Sequence, residues 1–486
     1  MIKTFAVHYL RYVVLFTHLG LVTACATNEL QSSALGTSEH GKCESIFIDN
    51  DKLIRAAGVA DAQYARIKAF PYLRVNRLYA ALKARLTDQA SRSAWITELG
   101  ALDRLARSIE NSNLPPSSAS QKPEKTTLSR CRDLLISNAV QDEQVFERLL
   151  TAAAVPDNYR WQQRLLGFYP FSRWPVYLGV KRLQENDSPR LEFKPDANAL
   201  HYLGEGHSNF EPTSTSQTLG FPQLTAATLV ELLNRYEPIW SIRTTSTTDH
   251  IGAMSWADSK ININPGQPTV YRDVSYAIFE NQLLLQLNYT IWFPAVEARK
   301  AIDIYAGEID GLTFRVTLDD VQSPLYVDVM HNCGCYYMGF PAATLERIKQ
   351  TPSTTIEPLW IPYSLPPLTG TQKYQLHVDS RNHFVRALTA TEAPDKFTRL
   401  NRQPYHQLRQ LPWKQGQTRS AFSPRALIEN SARLERLILW PMGVISAGAM
   451  RQTGNHAIAF VGKRHFDDPN LIDTHFRRPQ QTNESK

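Results

Sequence analysis

Two runs of alternating side chains constrain this sequence more than anything else in it. Leu312, Phe314, Val316 and Leu318 alternate with Thr313, Arg315 and Thr317, and Leu325, Val327 and Val329 alternate with Tyr326 and Asp328. A period of two sends successive side chains to opposite faces, as in half-buried strands. The polar stretch Asp319-Asp320-Val321-Gln322-Ser323-Pro324 turns the chain between them, so an antiparallel hairpin is predicted over 312–331, with Asp310-Gly311 as a turn just ahead of it. The second strand runs into His331-Asn332-Cys333-Gly334-Cys335. If its phase continues, His331, Cys333 and Cys335 face the core with Leu325, Val327 and Val329.

Three chemistries fit that cluster. A disulfide across Gly334 would need the two α-carbons 4.4 to 6.8 Å apart, which the glycine bend allows, in a small strained ring. A metal site would take His331, Cys333 and Cys335 as ligands with a remote fourth such as His456, and zinc or copper as the ion. A catalytic thiol would use His331 as its base. The core-facing phase favours the first two, because a nucleophile must be reached by substrate. On the disulfide reading no cofactor is expected.

The longest apolar run beyond the first residues covers 273–293 and stops at Pro294, which predicts a buried helix. On such a helix Glu280, Asn281 and Asn288 share a quadrant, while Gln282 and Gln286 stack one turn apart. A buried carboxylate is costly unless paired or protonated, so Glu280 is a candidate acid or base. His201 and His207 flank a glycine-bearing stretch, and His377 and His383 flank a second predicted hairpin around Ser380-Arg381. There is no phosphate-cradling glycine loop, no Gly-x-Ser-x-Gly, no His-Glu-x-x-His and no Cys-x-x-Cys-His, so several large enzyme families are excluded in their familiar forms.

The chain opens with Lys3 and Arg11, a short apolar run from Tyr12, and no acidic residue before Glu29. A basic start, a short apolar middle and small residues before a cut make a secretory signal, and the run is about half the roughly 20 residues of a membrane span. Val22-Thr23-Ala24-Cys25 resembles the lipobox of bacterial lipoproteins, with valine where leucine is usual. The resemblance implies cleavage before Cys25 and lipid attachment to its thiol. Ala26 is not the aspartate that retains many such proteins in the inner membrane, so it also implies an outer-membrane, periplasm-facing location.

With Cys25 assigned to lipid, four cysteines remain, and an oxidising compartment would pair them. The spacing points to Cys43 with Cys131, stapling the N-terminal helices, and Cys333 with Cys335. The formal charge of +7 includes Lys3 and Arg11 of the leader, and no basic block interleaved with aromatics suggests nucleic acid. The partners expected are the membrane, through the anchor, and an envelope protein or cell-wall polymer.

In order, the expected parts are a leader at 1–24, a tether at 25–45, a helical region at 46–185, a mixed region at 186–372, a C-terminal α+β portion at 373–467 and a frayed tail at 468–486. The aromatic stretch from Trp161 to Trp174 is expected to close the core between two subdomains, the alternative being a membrane-facing or sugar-binding surface. The fold class is α+β, with a helical N-terminal third followed by mainly antiparallel sheet with flanking helices. The function expected is a lipid-anchored envelope scaffold or binding factor stabilised by disulfides, the alternative an envelope hydrolase with metal at His331, Cys333 and Cys335.

Overall fold

The computed structural model describes residues 38–205, 216–349, 355–414 and 416–479. The leader, Cys25, most of the tether, His207 and the last residues of the tail lie outside them. The chain enters on α1 (Glu39–Ala56), capped by the Ser38 hydroxyl, which accepts the Gly41 N–H. Helix therefore begins inside the stretch expected as tether. A short antiparallel pair follows, β1 (Ala65–Ile67) and β2 (Phe70–Val75). The apolar spacing at 64–68 predicts helix there, but Ala69 turns left-handed at φ 68° just before Pro71, which forces a hairpin.

Four further helices complete this part: α2 (Arg77–Leu82), α3 (Gln89–Ser112), α4 (Lys125–Gln141) and α5 (Glu143–Ala152). Phe47, Trp95, Leu99, Leu135 and Phe146 meet at their centre. Cys43 on α1 and Cys131 on α4 are joined by a disulfide across 88 residues of sequence. Beside this core lies a buried ionic network. Asp103 on α3 accepts from Arg74, Arg107 and Arg132, and Glu110 accepts from Arg74 and Arg66. Burial works to raise the Asp103 pKa, but the surrounding guanidinium groups, Arg107 first, bring it well below the usual range.

Next come α6 (Trp161–Leu166) and α7 (Tyr169–Asn186), neither of which buries a residue. The expectation that this aromatic stretch closes a core is wrong: its large side chains point outward.

The remaining elements are β3 (Leu200–Gly204), α8 (Ala226–Arg235), β4 (Ile239–Ile242), the hairpin β5 (Ala253–Ala257) and β6 (Lys260–Asn264), β7 (Thr269–Phe279), β8 (Gln282–Val296), β9 (Gly307–Leu318), β10 (Pro324–His331), β11 (Met338–Pro341), β12 (Glu346–Arg347), β13 (Lys373–Val378), β14 (Val385–Thr391), β15 (Thr398–Pro404), α9 (Arg436–Leu439) and α10 (Leu471–His475). Ten strands form one mixed sheet in the order β11-β10-β9-β8-β7-β15-β3-β4-β13-β14. The first five are antiparallel neighbours, and β15 joins β7 and β3 in parallel. The α+β class expected from the sequence is the class observed.

The hairpin expected over 312–331 is β9 with β10, in a register that sets Leu312 opposite His331 and Val316 opposite Val327. Asp310 and Gly311 lie inside β9 rather than in a turn before it. The buried helix expected over 273–293 does not exist. Those residues are β7 and β8, paired from Tyr271 opposite Thr290 to Phe279 opposite Gln282. Glu280 and Asn281 both take positive φ, 46° and 64°, and make the two-residue turn that reverses the chain. Strand β8 is covered on both faces from Leu283 to Leu287, so its apolar run lacks the alternation that identifies a half-exposed strand.

The sheet curls until distant strands touch. Phe314 of β9 packs edge-on to Trp240 of β4 at 6.2 Å and lies 6.3 Å from Tyr374 of β13, although five strands separate β9 from β13 in the sheet order along its curve. The apolar spacing predicts helix from Arg425 to Leu439 and a strand over 457–462, but only the single turn α9 forms in the first, and the second is loop held by one bridge between Ala457 and His465. The expected fraying from 468 is also wrong up to residue 479: Leu471, Ile472 and Phe476 are buried against Tyr326 and Phe279.

The Cys43–Cys131 bridge closes a loop whose entropy, on the chain-closure model, contributes about 4 to 5 kcal/mol to stability. Reduction, or Cys43→Ser, is expected to lower the thermal midpoint by several degrees. An unchanged melting curve after complete reduction would show that the bond adds nothing to the packed helices.

Candidate functional site

The site forms where β10 ends. His331 is the last residue of the strand, and its N–H donates to the Cys335 carbonyl at 3.0 Å while its carbonyl accepts from the Gly334 N–H at 2.7 Å. The chain therefore turns back at once instead of continuing the strand phase, and brings Cys335 beside His331. Gly334 has φ +93°, and a Cβ there would lie 2.3 Å from the Ala457 carbonyl oxygen, so only glycine fits. Asn332 locks the turn. Its side chain donates to the Ile291 carbonyl and accepts from Thr313, and its own carbonyl accepts from the Arg451 N–H and from His456. Arg451 also donates to the Cys333 carbonyl at 3.1 Å.

Cys333 and Cys335 are both free thiols, so the bridge expected between them is not formed. They interact instead by hydrogen bonds. The Cys335 N–H donates to Cys333 Sγ at 3.4 Å. The Cys335 thiol donates to the same sulfur, which lowers the Cys333 pKa; burial opposes this and His331 adds to it. The donor is affected in the other sense: that bond, burial and the neighbouring sulfur raise Cys335 well above the usual thiol range. The two shifts belong to the pair, in which loss of a first proton is favoured and loss of a second opposed.

Behind His331 runs a chain of buried charges. Its Nδ1 lies 3.6 Å from Asp310 Oδ1, and no protein group hydrogen-bonds its Nε2. The other Asp310 oxygen is 2.8 Å from His383 Nδ1, and Arg433 donates to Oδ1 at 3.2 Å. His383 stacks flat on Phe293, 3.8 Å between ring centres, with Nε2 3.4 Å from Asp249. Burial acts to lower the His383 pKa, but the neighbouring carboxylates of Asp249 and Asp310 raise it overall. Burial likewise acts to raise Asp310, and His331, His383 and Arg433 together hold it far below the usual carboxylate range.

Two cavities meet at this turn. A cleft of about 200 Å³ is walled by Asp310, His331, Cys333, Arg299, Arg433 and Glu435. A larger and more apolar cavity of about 430 Å³ adjoins it, walled by Val176, Val180 and Leu183 of α7, with Trp360, Leu439 and Phe460. Cys335, Tyr336, Tyr305 and Glu435 line both. Burial pushes the Glu435 carboxyl up to about 7, and nearby Arg433 offsets only part of that.

The other residues singled out from the sequence lie elsewhere. Glu280 is at the exposed tip of the β7–β8 hairpin, where it pairs with Arg478, and it is no catalytic candidate. His456 is neutral, pushed down to about 3 by burial and Arg451, and it braces Asn332 rather than pointing to the thiols. Among the described residues no three His, Cys, Asp or Glu side chains are placed to hold a metal ion, so the expected zinc or copper set at His331, Cys333, Cys335 and His456 does not assemble. His377 bonds Thr389 beside a different cleft and is remote in role from His383. Sequence reasoning missed Asp310, His383, Arg433 and Glu435 as site groups. The signal available was Asp310 as a carboxylate just ahead of the alternating run from Leu312 to Leu318. Comparison of the chain with protein-family models, with curated proteins and with solved structures returned no match.

The raised Glu435 gives a signed pH effect. The folded chain keeps this proton to about pH 7, whereas the unfolded chain releases it near its ordinary value of 4.5, so stability falls as pH rises through that window. Glu435→Gln removes the effect and is expected to exceed the parent in stability at pH 8 by up to about 3 kcal/mol. Denaturant midpoints at pH 5 and pH 8 read it, and an unchanged difference between the two proteins across that range would show that the carboxyl ionises normally.

Proposed function

We propose that this chain is a lipid-anchored cell-envelope protein that binds an amphiphilic molecule across the two joined cavities and acts on it through Cys333. The observation that carries the proposal is a free thiol with a lowered pKa on the wall of a cleft, beside a buried histidine with one unpartnered nitrogen and the other facing a carboxylate. An ionised or readily ionised cysteine backed by an imidazole is the arrangement for nucleophilic attack on an acyl carbon. In that reaction His331 takes the thiol proton as the S–C bond forms, and returns it to the leaving group as the C–O or C–N bond breaks. Water then cleaves the thioester and restores the thiol. Asp310 keeps the imidazole oriented. The larger cavity suits an apolar tail, and Arg299 and Arg433 suit a polar or anionic head.

A second reading is favoured by the hydrogen bond between the two thiols. Cys333 could equally attack a disulfide in a partner, with Cys335 as the resolving thiol. Removing Cys335 separates the two: acyl chemistry survives Cys335→Ser, and disulfide reduction does not.

Alkylation with iodoacetamide, mapped by mass spectrometry across pH, tests the shared premise. Cys333 is expected to react first, with a midpoint below that of an ordinary thiol, and Cys335→Ala, which removes its hydrogen-bond donor, is expected to raise that midpoint. Equal rates at both thiols, or a midpoint in the ordinary range for Cys333, would remove the nucleophile. A series of p-nitrophenyl acyl esters of rising chain length then reads turnover, which Cys333→Ser should abolish. Absence of any Cys333-dependent hydrolysis would leave the disulfide reading as the better one.

The location is read from the N-terminal residues. Cys25→Ser is expected to move the chain out of the detergent phase on Triton X-114 partition, or to leave its leader uncut. A wild-type chain found in the aqueous phase would contradict the anchor.

A further inference from the structure

The helices α6 and α7 and the turn α9 present an apolar face that nothing among the described residues covers. Trp161, Leu165, Leu166, Phe168, Phe171 and Leu178, with Leu437 and Ile438 of α9, are 58 to 76 % exposed. These side chains are not scattered. The three elements are fixed to one another: the Arg160 N–H donates to the Gly443 carbonyl at 2.8 Å, Arg164 donates to the Met442 and Gly462 carbonyls, and Gly167 lies so close to Pro441 that a Cβ would sit 2.4 Å from it. A contiguous exposed apolar surface of this extent marks an interaction site.

Charge indicates what the surface meets. Between 158 and 184 the sequence holds five basic residues, Arg160, Arg164, Arg173, Lys181 and Arg182, and no acidic one, and Arg436 adds a sixth on α9. Trp161, Trp174 and Trp440 stand among them, and tryptophan with arginine is the pairing favoured at the boundary between lipid headgroups and acyl chains. Among the described residues no helix is long and apolar enough to cross a membrane. Helices with an apolar outer side and a basic fringe lie in the plane of the interface instead.

We propose that this face docks on the surface of an anionic phospholipid bilayer, with Trp161, Phe168, Phe171 and Leu178 seated among the acyl chains and the arginines at the phosphates. The docked body would hold a definite orientation, which a flexible anchor alone does not impose. Helix α7 then has two roles. Its Phe171, Trp174 and Leu178 face the lipid, and its Val176, Val180 and Leu183 wall the apolar cavity. That cavity would therefore lie immediately above the bilayer surface.

The test uses hydrogen–deuterium exchange of the full chain carrying Cys25→Ser, so that no acyl group contributes. It is compared in buffer, with vesicles of phosphatidylethanolamine containing a quarter phosphatidylglycerol, and with vesicles of phosphatidylcholine alone. Amides at 161–182 are expected to exchange about tenfold or more slowly with the anionic vesicles and to be little changed with the neutral ones. The double variant Phe171→Glu and Leu178→Glu, both fully surface positions, is expected to lose that protection while keeping the Cys43–Cys131 bond and the parent melting curve. The readout is local to the face, so any affinity of the N-terminal residues for vesicles is common to both proteins. Equal exchange with and without anionic vesicles would overturn the proposal. So would a dimer in lipid-free buffer that the double variant abolishes, which would assign the face to a second copy of the chain.

Discussion

The structure depends first on the carboxylate of Asp310. It is buried, and an unpaired charge there would cost several kcal/mol, so its ionisation is possible only because His383, Arg433 and His331 surround it. Those partners come from the connection between β13 and β14, from the approach to α9, and from the end of β10. One side chain thus ties together segments that are far apart along the curved sheet. His383 carries the tie onward to Asp249, whose oxygens accept from the Thr245 and Ser246 N–H groups and from the Arg381 N–H. The result is a line of alternating charge that runs from Arg433 and His331 through Asp310 and His383 to Asp249, with Phe293 stacked on the His383 ring. A half-satisfied version would be worse than an apolar core, which is why the strained φ of His383, 48°, is tolerated there.

A second buried network plays the same part for the helices. Asp103 and Glu110 knit α3 to β2 and α4, and Asp61 reaches out of that region to a two-pronged bond with Arg409 and a third from Gln452. Asn113 adds a bond to the Arg409 carbonyl. Apolar packing supplies most of the attraction between helices and sheet, through Phe221 and Tyr276 at 4.8 Å and the tip residues Ile278 and Leu283. The guanidinium bonds are directional, and they fix which way the two parts face.

Much of this was open to reading in advance, and the failures have a common cause. The β9–β10 hairpin is legible because each strand alternates and Asp319 sits where its side chain can accept the Val321 and Ser323 N–H groups of the turn. The Cys43 and Cys131 pairing is legible from spacing, since the two cysteines flank the N-terminal helices that the bond staples. The run at 273–293 is not, since a strand buried on both faces loses its period of two, and the only marker of the turn is Glu280-Asn281, a dipeptide less committed to left-handed φ than Asn-Gly. Placing Glu280 on a helix made it look buried, and that one error carried it into the candidate site. At the real site, Cys333 and His331 were within reach of local reasoning because five residues hold them. Asp310, His383, Arg433 and Glu435 were not, because only the curl of the sheet brings them there, and no local pattern records the curl.

The position of the thiols follows from the same geometry. Had β10 continued its phase past His331, Cys333 and Cys335 would have been sealed in the core, where a thiol is inert. The turn at Asn332-Gly334 instead sets Cys335 at the junction of two cavities and leaves Cys333, still buried, on the wall of the smaller one, with a left-handed glycine pressed on the Ala457 carbonyl. That turn is held by Arg451 and His456, both buried, and both committed to backbone carbonyls rather than to ligand. The disposition of α7 extends the argument outward. That helix buries no residue fully, and its inner side is held where Val176, Val180 and Leu183 wall the cavity beside Cys335, where Leu183 packs against the core of the sheet, and where the Tyr169 hydroxyl accepts the Gly462 N–H, so one element carries both the cavity wall and the exposed face.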